Sequence, residues 1–346
     1  MDGIRLLRFL WIVPSRLVKV LEKVGLSLMK IAPIAVLLSL SLIACPLLYI
    51  YVGPALAANQ LETLWILLII AGASALFCFA VGEFTHNNSQ MDKLWSLLPE
   101  VYLWVIAARG GWNPRLILMA VLTTLWGIRL TFNFARKGAY RLKFWEGRED
   151  YRWEVLRGKK EFQPRWKWVL FNFLFISIYQ NALVLLITLP GLAAMNSAVA
   201  LNWVDYLAGA LMMAFLIYET IADEEQWHFQ SKKRALLSEG KKLEELSAPY
   251  NKGFNTRGLW SMSRHPNYLG EQGIWLSFYV FSIGALLNDL SWKAIFNWSI
   301  VGALLLIVLF FGSSSFAEEI SGSKYPEYSH YRTRVFRYFP FKKYKE

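Results

Sequence analysis

The sequence predicts an all-α fold, a multi-pass bundle of transmembrane helices. Three observations predict it. Of the 346 residues, 55% are hydrophobic and only 18% are charged, against about 25% charged in ordinary soluble domains. The charges fall into blocks, and between the blocks lie apolar runs of about 20 residues, the length that crosses a hydrocarbon core. Lys and Arg are dense in some loops and missing from others, as the positive-inside rule requires.

Each element follows in chain order. Residues 1–30 carry Arg5, Arg8, Arg16, Lys19, Lys23 and Lys30 among Leu, Val, Ile and Trp, the pattern of an interfacial amphipathic helix. A first span is expected at 31–52. No small-residue cleavage site follows a short apolar run, so this part reads as a retained anchor. Span two is expected at 64–82, after a loop, 53–63, without Lys or Arg. A polar hairpin at 83–93 leads to a short span three, 94–108, interrupted by Pro99 and Glu100. A short, broken, polar-bearing segment lines a cavity rather than facing lipid.

Span four, 116–135, ends with Arg129, Asn133, Arg136 and Lys137 on one helical face. An Arg so far inside a span needs a partner or must snorkel to headgroups; the other use of such a face is a phosphate. The loop 136–167 holds eleven Lys/Arg and five Asp/Glu, and its Glu149-Asp150-Tyr151-Arg152-Trp153 stretch predicts a short surface helix. Span five is expected at 168–190, ending at Pro190-Gly191. An uncharged loop, 191–202, leads to span six at 203–221, then a charged block at 222–265. Span seven runs from Tyr268 to Leu287, and span eight covers 295–315. A basic, aromatic tail closes the chain.

Eight spans with both ends cytoplasmic place every charged block on one side. The turns 109–115, with two Arg, and 288–294, with Lys293, break the pattern. The net charge of +12 is absorbed by cytoplasmic loops, so no nucleic-acid partner is expected. Cys45 and Cys78 both lie in apolar runs, which indicates neither a disulfide framework nor a zinc site. The four histidines are far apart, and no metal site is expected. Dinucleotide-fold, P-loop, zincin and α/β-hydrolase signatures do not occur.

The densest polar stretch is Gly258-Leu-Trp-Ser-Met-Ser-Arg264-His265-Pro266-Asn267-Tyr268-Leu-Gly270-Glu271, which runs straight into an apolar helix. Polar groups at the mouth of a membrane helix are costly unless something polar binds there. A cytoplasmic rim of Arg, Lys, Tyr, Asn and Asp above a membrane cavity suits two ligands. A polyanionic cofactor would sit at the rim, held by Arg and Lys, with Asp223 or Glu271 on sugar hydroxyls or an amide. A hydrophobic substrate would enter from lipid. These residue types leave NADPH and S-adenosylmethionine both open.

Ser263-Arg-His-Pro-Asn-Tyr-Leu-Gly-Glu271, preceded by Gly258-Leu-Trp, resembles the steroid 5α-reductase superfamily. Ser89-Gln-Met-Asp-Lys-Leu-Trp-Ser96, the stretches 129–138 and 222–229, and Lys324-Tyr-Pro-Glu-Tyr328 strengthen the resemblance. It covers roughly 64–346, and implies a seven-helix reductase core to which residues 1–63 add an amphipathic segment and one helix. It further implies NADPH as cofactor and hydride transfer to the β-carbon of an enone in a lipophilic substrate. Asp223, Arg257, Arg264, His265, Asn267, Tyr268, Glu271, Tyr325 and Tyr328 would then form the cofactor site, with Arg129, Arg136 and Lys137 near its phosphates. The competing readings are helix capping and pairing with Arg264 for Asn267 and Glu271, and interfacial anchoring for Tyr325 and Tyr328.

One departure stands out. Steroid-reducing members carry a Gln-Glu pair just before the proline of span three, where this chain has Ser96-Leu97-Leu98 before Pro99. The tyrosine expected on the next helix is replaced by Trp126. Asp92 and Glu100 are the nearby acids, Tyr102 is a nearby phenol, and Asp92 and Tyr102 are the catalytic candidates. An alternative reading is a membrane methyltransferase using S-adenosylmethionine. The isoprenylcysteine carboxyl methyltransferases share an Arg-His-Pro-x-Tyr-x-Gly, and this chain has Glu318-Glu319 and Tyr325-x-x-Tyr328. Membrane lipids are expected partners, and the membrane is a bacterial inner membrane or the endoplasmic reticulum. The sequence leaves the oligomeric state open.

Overall fold

A computed structural model of the chain describes residues 56–287, 292–341 and 343–344. The expected N-terminal helix at 1–30, the span at 31–52 and Cys45 lie outside the described residues. Within them the chain is all-α, apart from one isolated bridge between Ser263 and Phe336. The principal helices are α1 (Ala58–Thr85), α2 (Gln90–Trp95), α3 (Leu98–Arg109), α4 (Pro114–Ala135) and α5 (Tyr151–Arg157). They continue with α6 (Arg165–Ala194), α7 (Trp203–Ser238), α8 (Pro266–Ala285), α9 (Val301–Lys324) and α10 (Tyr328–Arg334).

Five helices are long and apolar enough to cross a membrane: α1, α4, α6, α7 and α9 with the 3-10 turn before it. This is a multi-pass bundle, and these five match expected spans two, four, five, six and eight. The other two described spans lie where expected, the third short and broken between α2 and α3, but neither is among the five. Helix α3 has 12 residues, about 18 Å of rise, short of a hydrocarbon core about 30 Å thick. Helix α8 has 20 residues but is enclosed by protein along most of its length, which is why it carries Asn267, Glu271 and Gln272. A helix walled in by other helices has no need of a lipid-compatible surface.

Two boundaries move for physical reasons. The fifth span does not stop at Pro190; α6 runs through it to Ala194, and its start includes a π-helical stretch, Asn172–Tyr179. Pro190 removes the N–H that would bond the Leu186 carbonyl, and α9 packs there: a Cβ on Gly302 would come within 2.3 Å of Leu186 backbone. Helix α7 extends well past residue 221 to Ser238, because the charged stretch continues the helical period out of the apolar zone. Asn202 caps its start in a reciprocal box with Asp205. The expected surface helix is α5, capped by Asp150, whose side chain accepts from the Arg152 N–H.

Helices α4, α7 and α8 form the spine. Helix α8 packs most extensively on α7; Cβ atoms on Gly270 and Gly273 would meet Glu219 and Phe215 at 2.6 and 2.4 Å. Small residues allow this approach. At one end Arg115 is fully buried against Asp205, at 2.7 and 2.9 Å, and also donates to Ser197, Val199 and Ala200. Arg109 is paired with Glu62. Arg115 is therefore neutralised inside the protein and Arg109 by an exposed ion pair, which removes their conflict with the charge pattern. The charged loops gather at the other end.

Candidate functional site

At that other end Arg129 lies about 21 Å further along α4 than Arg115, fourteen residues on. Its Nη1 donates to Asp223 Oδ2 at 2.8 Å. Its Nη2 lies 2.9 Å from Glu219 Oε1 and 3.6 Å from Glu271 Oε2. One guanidinium thus faces three carboxylates, two from α7 and one from α8. Glu219 and Asp223 are four residues apart, so they share one face of α7. Gly270 lets α8 come close enough to add Glu271.

Neighbouring amides and indoles hold the carboxylates in place. Asn133 donates to Asp223 Oδ2 at 2.8 Å, and Asn267 donates to Asp223 Oδ1 at 3.2 Å. Glu271 accepts from Trp126 Nε1 at 2.8 Å and from Trp275 Nε1 at 3.0 Å. The two indoles meet edge-to-face at 5.0 Å, an arrangement worth about 0.5–1.5 kcal/mol beyond area burial. Three buried polar atoms here have no hydrogen-bond partner among the described residues, Arg129 Nε, Glu219 Oε2 and Asn267 Oδ1, while Arg129 Nη2 meets Glu219 only as an ion pair. Such gaps are expensive in a finished core. They are what a site that receives a polar ligand leaves open.

The sequence-expected residues divide into three groups. Arg129, Asp223, Asn267 and Glu271 meet in this one cluster. Arg136 lies beside it, but it is ion-paired to Glu224, bonded to Asn133 Oδ1 at 3.0 Å and stacked over Trp227 at 4.9 Å. Arg129 and Arg136 are therefore engaged by protein carboxylates, not left free for phosphates. Lys137 follows at the start of the exposed loop, against Phe134. Tyr268 stacks on His265 at 5.2 Å and meets Phe310 edge-to-face at 4.6 Å.

Arg264 and His265 form a second cluster with Glu318 of α9, at 2.8 and 3.0 Å. Arg332 and Arg337 approach the same carboxylate, both at 3.7 Å. Arg264 also donates to the carbonyls of Arg332 and Val335, and the Arg264 and His265 amides bond to Phe336 and Arg337. This cluster fastens the C-terminal segment over the mouth of α8. Arg264 is paired with Glu318, not with Glu271. Tyr328 is buried with Phe254, Tyr331, Val335 and Tyr344 in a small core beneath that segment, rather than anchored at an interface. Tyr325 is half-buried, its hydroxyl accepting from Lys233 at 3.3 Å. Arg257 is exposed on the loop before the 3-10 turn at Gly258–Ser261.

The catalytic candidates lie elsewhere. Asp92 is buried under α5 and accepts from Trp153 Nε1 at 2.8 Å. Burial, and then the neighbouring Asp150 carboxylate, push the Asp92 carboxyl above its usual range. Burial would raise Asp150 too, but Arg152 overrides it and holds that carboxyl low. Tyr102 is fully buried in the main core with no partner for its hydroxyl among the described residues. Glu100 packs over Gly127, next to Trp126.

Sequence reasoning passed over Glu219, which sits inside an apolar run of α7. The available signal was its four-residue spacing from Asp223. It also passed over Trp275, four residues after Glu271 on the same face of α8. No group of His, Cys, Asp and Glu suited to a metal ion occurs among the described residues.

Comparison with known proteins adds two matches. An uncharacterized protein of Schizosaccharomyces pombe, C594.04c, is 37% identical over 274 residues, covering 76% of this chain and 75% of the relative. No solved structure matches the chain. The family model described as "Protein of unknown function (DUF1295)" matches residues 78–335, a stretch that holds α2 through α10 and the whole Arg129 cluster. The chain therefore belongs to the DUF1295 family.

Proposed function

We propose that this chain is an integral membrane reductase that uses NADPH and acts on a C=C bond conjugated to a carbonyl in a lipophilic substrate, in the manner of steroid 5α-reductase-like enzymes. The observation that carries this reading is the set of buried atoms around Arg129 that make no hydrogen bond among the described residues: Arg129 Nε, Glu219 Oε2 and Asn267 Oδ1.

The residues fit the cofactor in parts. The floor is acidic, with three carboxylates against one guanidinium. Such a floor repels phosphates and accepts hydrogen bonds from ribose hydroxyls and from a carboxamide. Asn267 Oδ1 is an open acceptor for the carboxamide N–H. The rim is basic, with Lys137, Arg141 and Arg148 in the loop 136–150, and phosphates belong there. Bound in this way, NADPH would supply a hydride to the electron-poor β-carbon of the enone. The protein's part is to orient, to exclude water and to hold donors ready: Trp126 and Trp275 fix Glu271, and Glu271 and Asp223 fix Arg129. With a cytosolic cofactor, this end of the bundle would face the cytoplasm.

Asn267→Ala tests the reading. It removes an open acceptor and one bond to Asp223 without touching the apolar core. NADPH affinity by calorimetry should fall about tenfold or more while the melting temperature stays near the parent's. Unchanged NADPH affinity in a folded variant would contradict the assignment.

A further inference from the structure

Beyond α10 the C-terminal segment runs back along the outside of α9. Arg337 stacks over the Phe311 ring at 4.3 Å and donates to Ser315 Oγ at 3.0 Å. Tyr338 and Ser314 share a hydrogen bond of 2.8 Å. Ser315 and Phe311 lie nine and thirteen residues before the end of α9 at Lys324, about 14 and 20 Å back along its axis. Helix α9 carries no charged residue before Glu318, and its outer face is bare: Leu304, Val308 and Phe311 are 47%, 47% and 58% exposed. The segment is therefore held at the depth where the apolar run of α9 ends. There it presents three rings, Phe336, Phe339 and Phe341, all exposed. The Phe341 N–H donates to the Phe339 carbonyl at 2.9 Å, closing a tight turn over Pro340 that stacks the two rings at 5.6 Å. Phe336 meets Phe341 edge-to-face at 5.9 Å. Phe336 is itself fixed by its bridge to Ser263 and by the Arg264 N–H, which donates to its carbonyl at 3.0 Å. From Arg332 to Lys343 the chain has five Lys/Arg and no Asp or Glu.

We propose that residues 336–341 form an in-plane membrane anchor, whose three rings enter the interface of the leaflet beside α9 while Arg334 and Lys343 pair with anionic phospholipid headgroups. The occupant follows from position and charge. The surface next to the rings is the lipid-facing side of α9, so hydrocarbon begins where they stand. Aromatic rings favour that boundary. A cluster of apolar rings flanked by cations is the composition of an interfacial segment, and cations without neighbouring acids favour an anionic leaflet. Arg334 and Lys343 are exposed. Arg337 is not counted with them, because its Nη2 reaches back to Glu318 at 3.7 Å. A protein partner at this face would have to displace lipid from α9 to reach the rings. The anchor is independent of the reductase reading. Through the bonds from Arg264 and His265 to the carbonyls of Phe336 and Arg337, it secures the same segment that crosses the mouth of α8.

The test is a depth measurement by spin labelling of the full chain in nanodiscs. Cys45 and Cys78 are replaced by Ser, and a nitroxide is attached at Phe339→Cys, at Phe341→Cys or, as a control on an exposed loop, at Glu244→Cys. The discs contain phosphatidylcholine alone or an equal mixture with phosphatidylglycerol. In the mixed discs the labels at 339 and 341 should collide with dissolved oxygen about threefold more often than with a water-soluble nickel chelate, and the order should reverse at 244. Phosphatidylglycerol should deepen both labels relative to phosphatidylcholine alone. Arg334→Gln combined with Lys343→Gln should cancel that gain while the melting temperature stays near the parent's. Two label positions separate the depth of the segment from a local effect of either substitution. Chelate access at 339 and 341 equal to that at 244 would place the rings in water, leave the face to a protein partner and overturn the proposal. Equal depth with and without phosphatidylglycerol would overturn the assignment of anionic headgroups.

Discussion

Arg129 carries one positive charge into the midst of Glu219, Asp223 and Glu271. Arg136, one cation beside the cluster, is already matched to Glu224. Buried charge is tolerated only when balanced, so the cluster as it stands holds more negative charge than it needs. Two opposite expectations follow. Arg129→Met leaves three carboxylates without a counterion and should lower stability by about 3–5 kcal/mol. Glu219→Gln removes one unmatched charge and keeps the shape, so its melting temperature in detergent should equal or exceed the parent's. A melting temperature for Glu219→Gln that falls as far as that of Arg129→Met would mean that all three carboxylates are needed ionised. The sequence exposed Arg129, Asp223, Asn267 and Glu271 because each is a polar residue out of place beside an apolar run. It hid Glu219, one helical turn below Asp223. It also pointed to Arg264, His265 and Tyr328 as ligand residues, whereas these close on Glu318 and on the aromatic residues of the C-terminal segment. Which carboxylate an Arg finds more than fifty residues away is a property of the packing, not of the local motif.

At the scale of elements, hydropathy located the lipid-facing helices and also the enclosed one, but did not show that the latter is walled in by protein. Helices α1, α4, α6, α7 and α9 present apolar surface outward, so their composition declares them. Helix α8 is surrounded, so its apolar signal is diluted by Asn267, Glu271, Gln272 and three glycines. Those glycines set its position. Gly270→Val would place side-chain atoms where Glu219 Cβ now stands, at 2.6 Å from the added Cβ. It should cost about 1–3 kcal/mol as an overpacked contact, and it should lower NADPH affinity by displacing Glu271 from Trp126 and Arg129. Gly322, on α9, has nothing within 4 Å of an added Cβ. Gly322→Ala should therefore be neutral or gain up to about 1 kcal/mol from helix propensity. Thermal melts of both variants beside the parent check the contrast, and equal effects would dissociate α8 placement from its glycines.

Across the whole molecule the polar groups separate into two ends with different purposes. At one end Arg115 and Asp205 satisfy each other completely, with further bonds from Arg115 to the Ser197 hydroxyl and the Val199 and Ala200 carbonyls, and leave nothing open. At the other end the Arg129 cluster leaves donors and acceptors unfilled beneath a basic loop, while the Glu318 cluster holds the C-terminal segment across the opening. The contrast between a closed polar centre and an open one, in the same bundle, supports the proposal that a cofactor binds at the second. The charge alternation of the loops made the two ends legible in the sequence; which end was satisfied required the side chains. The most direct measurement is a thermal-stability titration of the detergent-purified protein with NADPH, NADH and S-adenosylmethionine. A ligand that binds only the folded state adds about 2.7 kcal/mol at a hundredfold excess over its Kd. The account predicts a concentration-dependent rise in melting temperature with NADPH and none with S-adenosylmethionine. A rise with S-adenosylmethionine alone, or with none of the three, would contradict it.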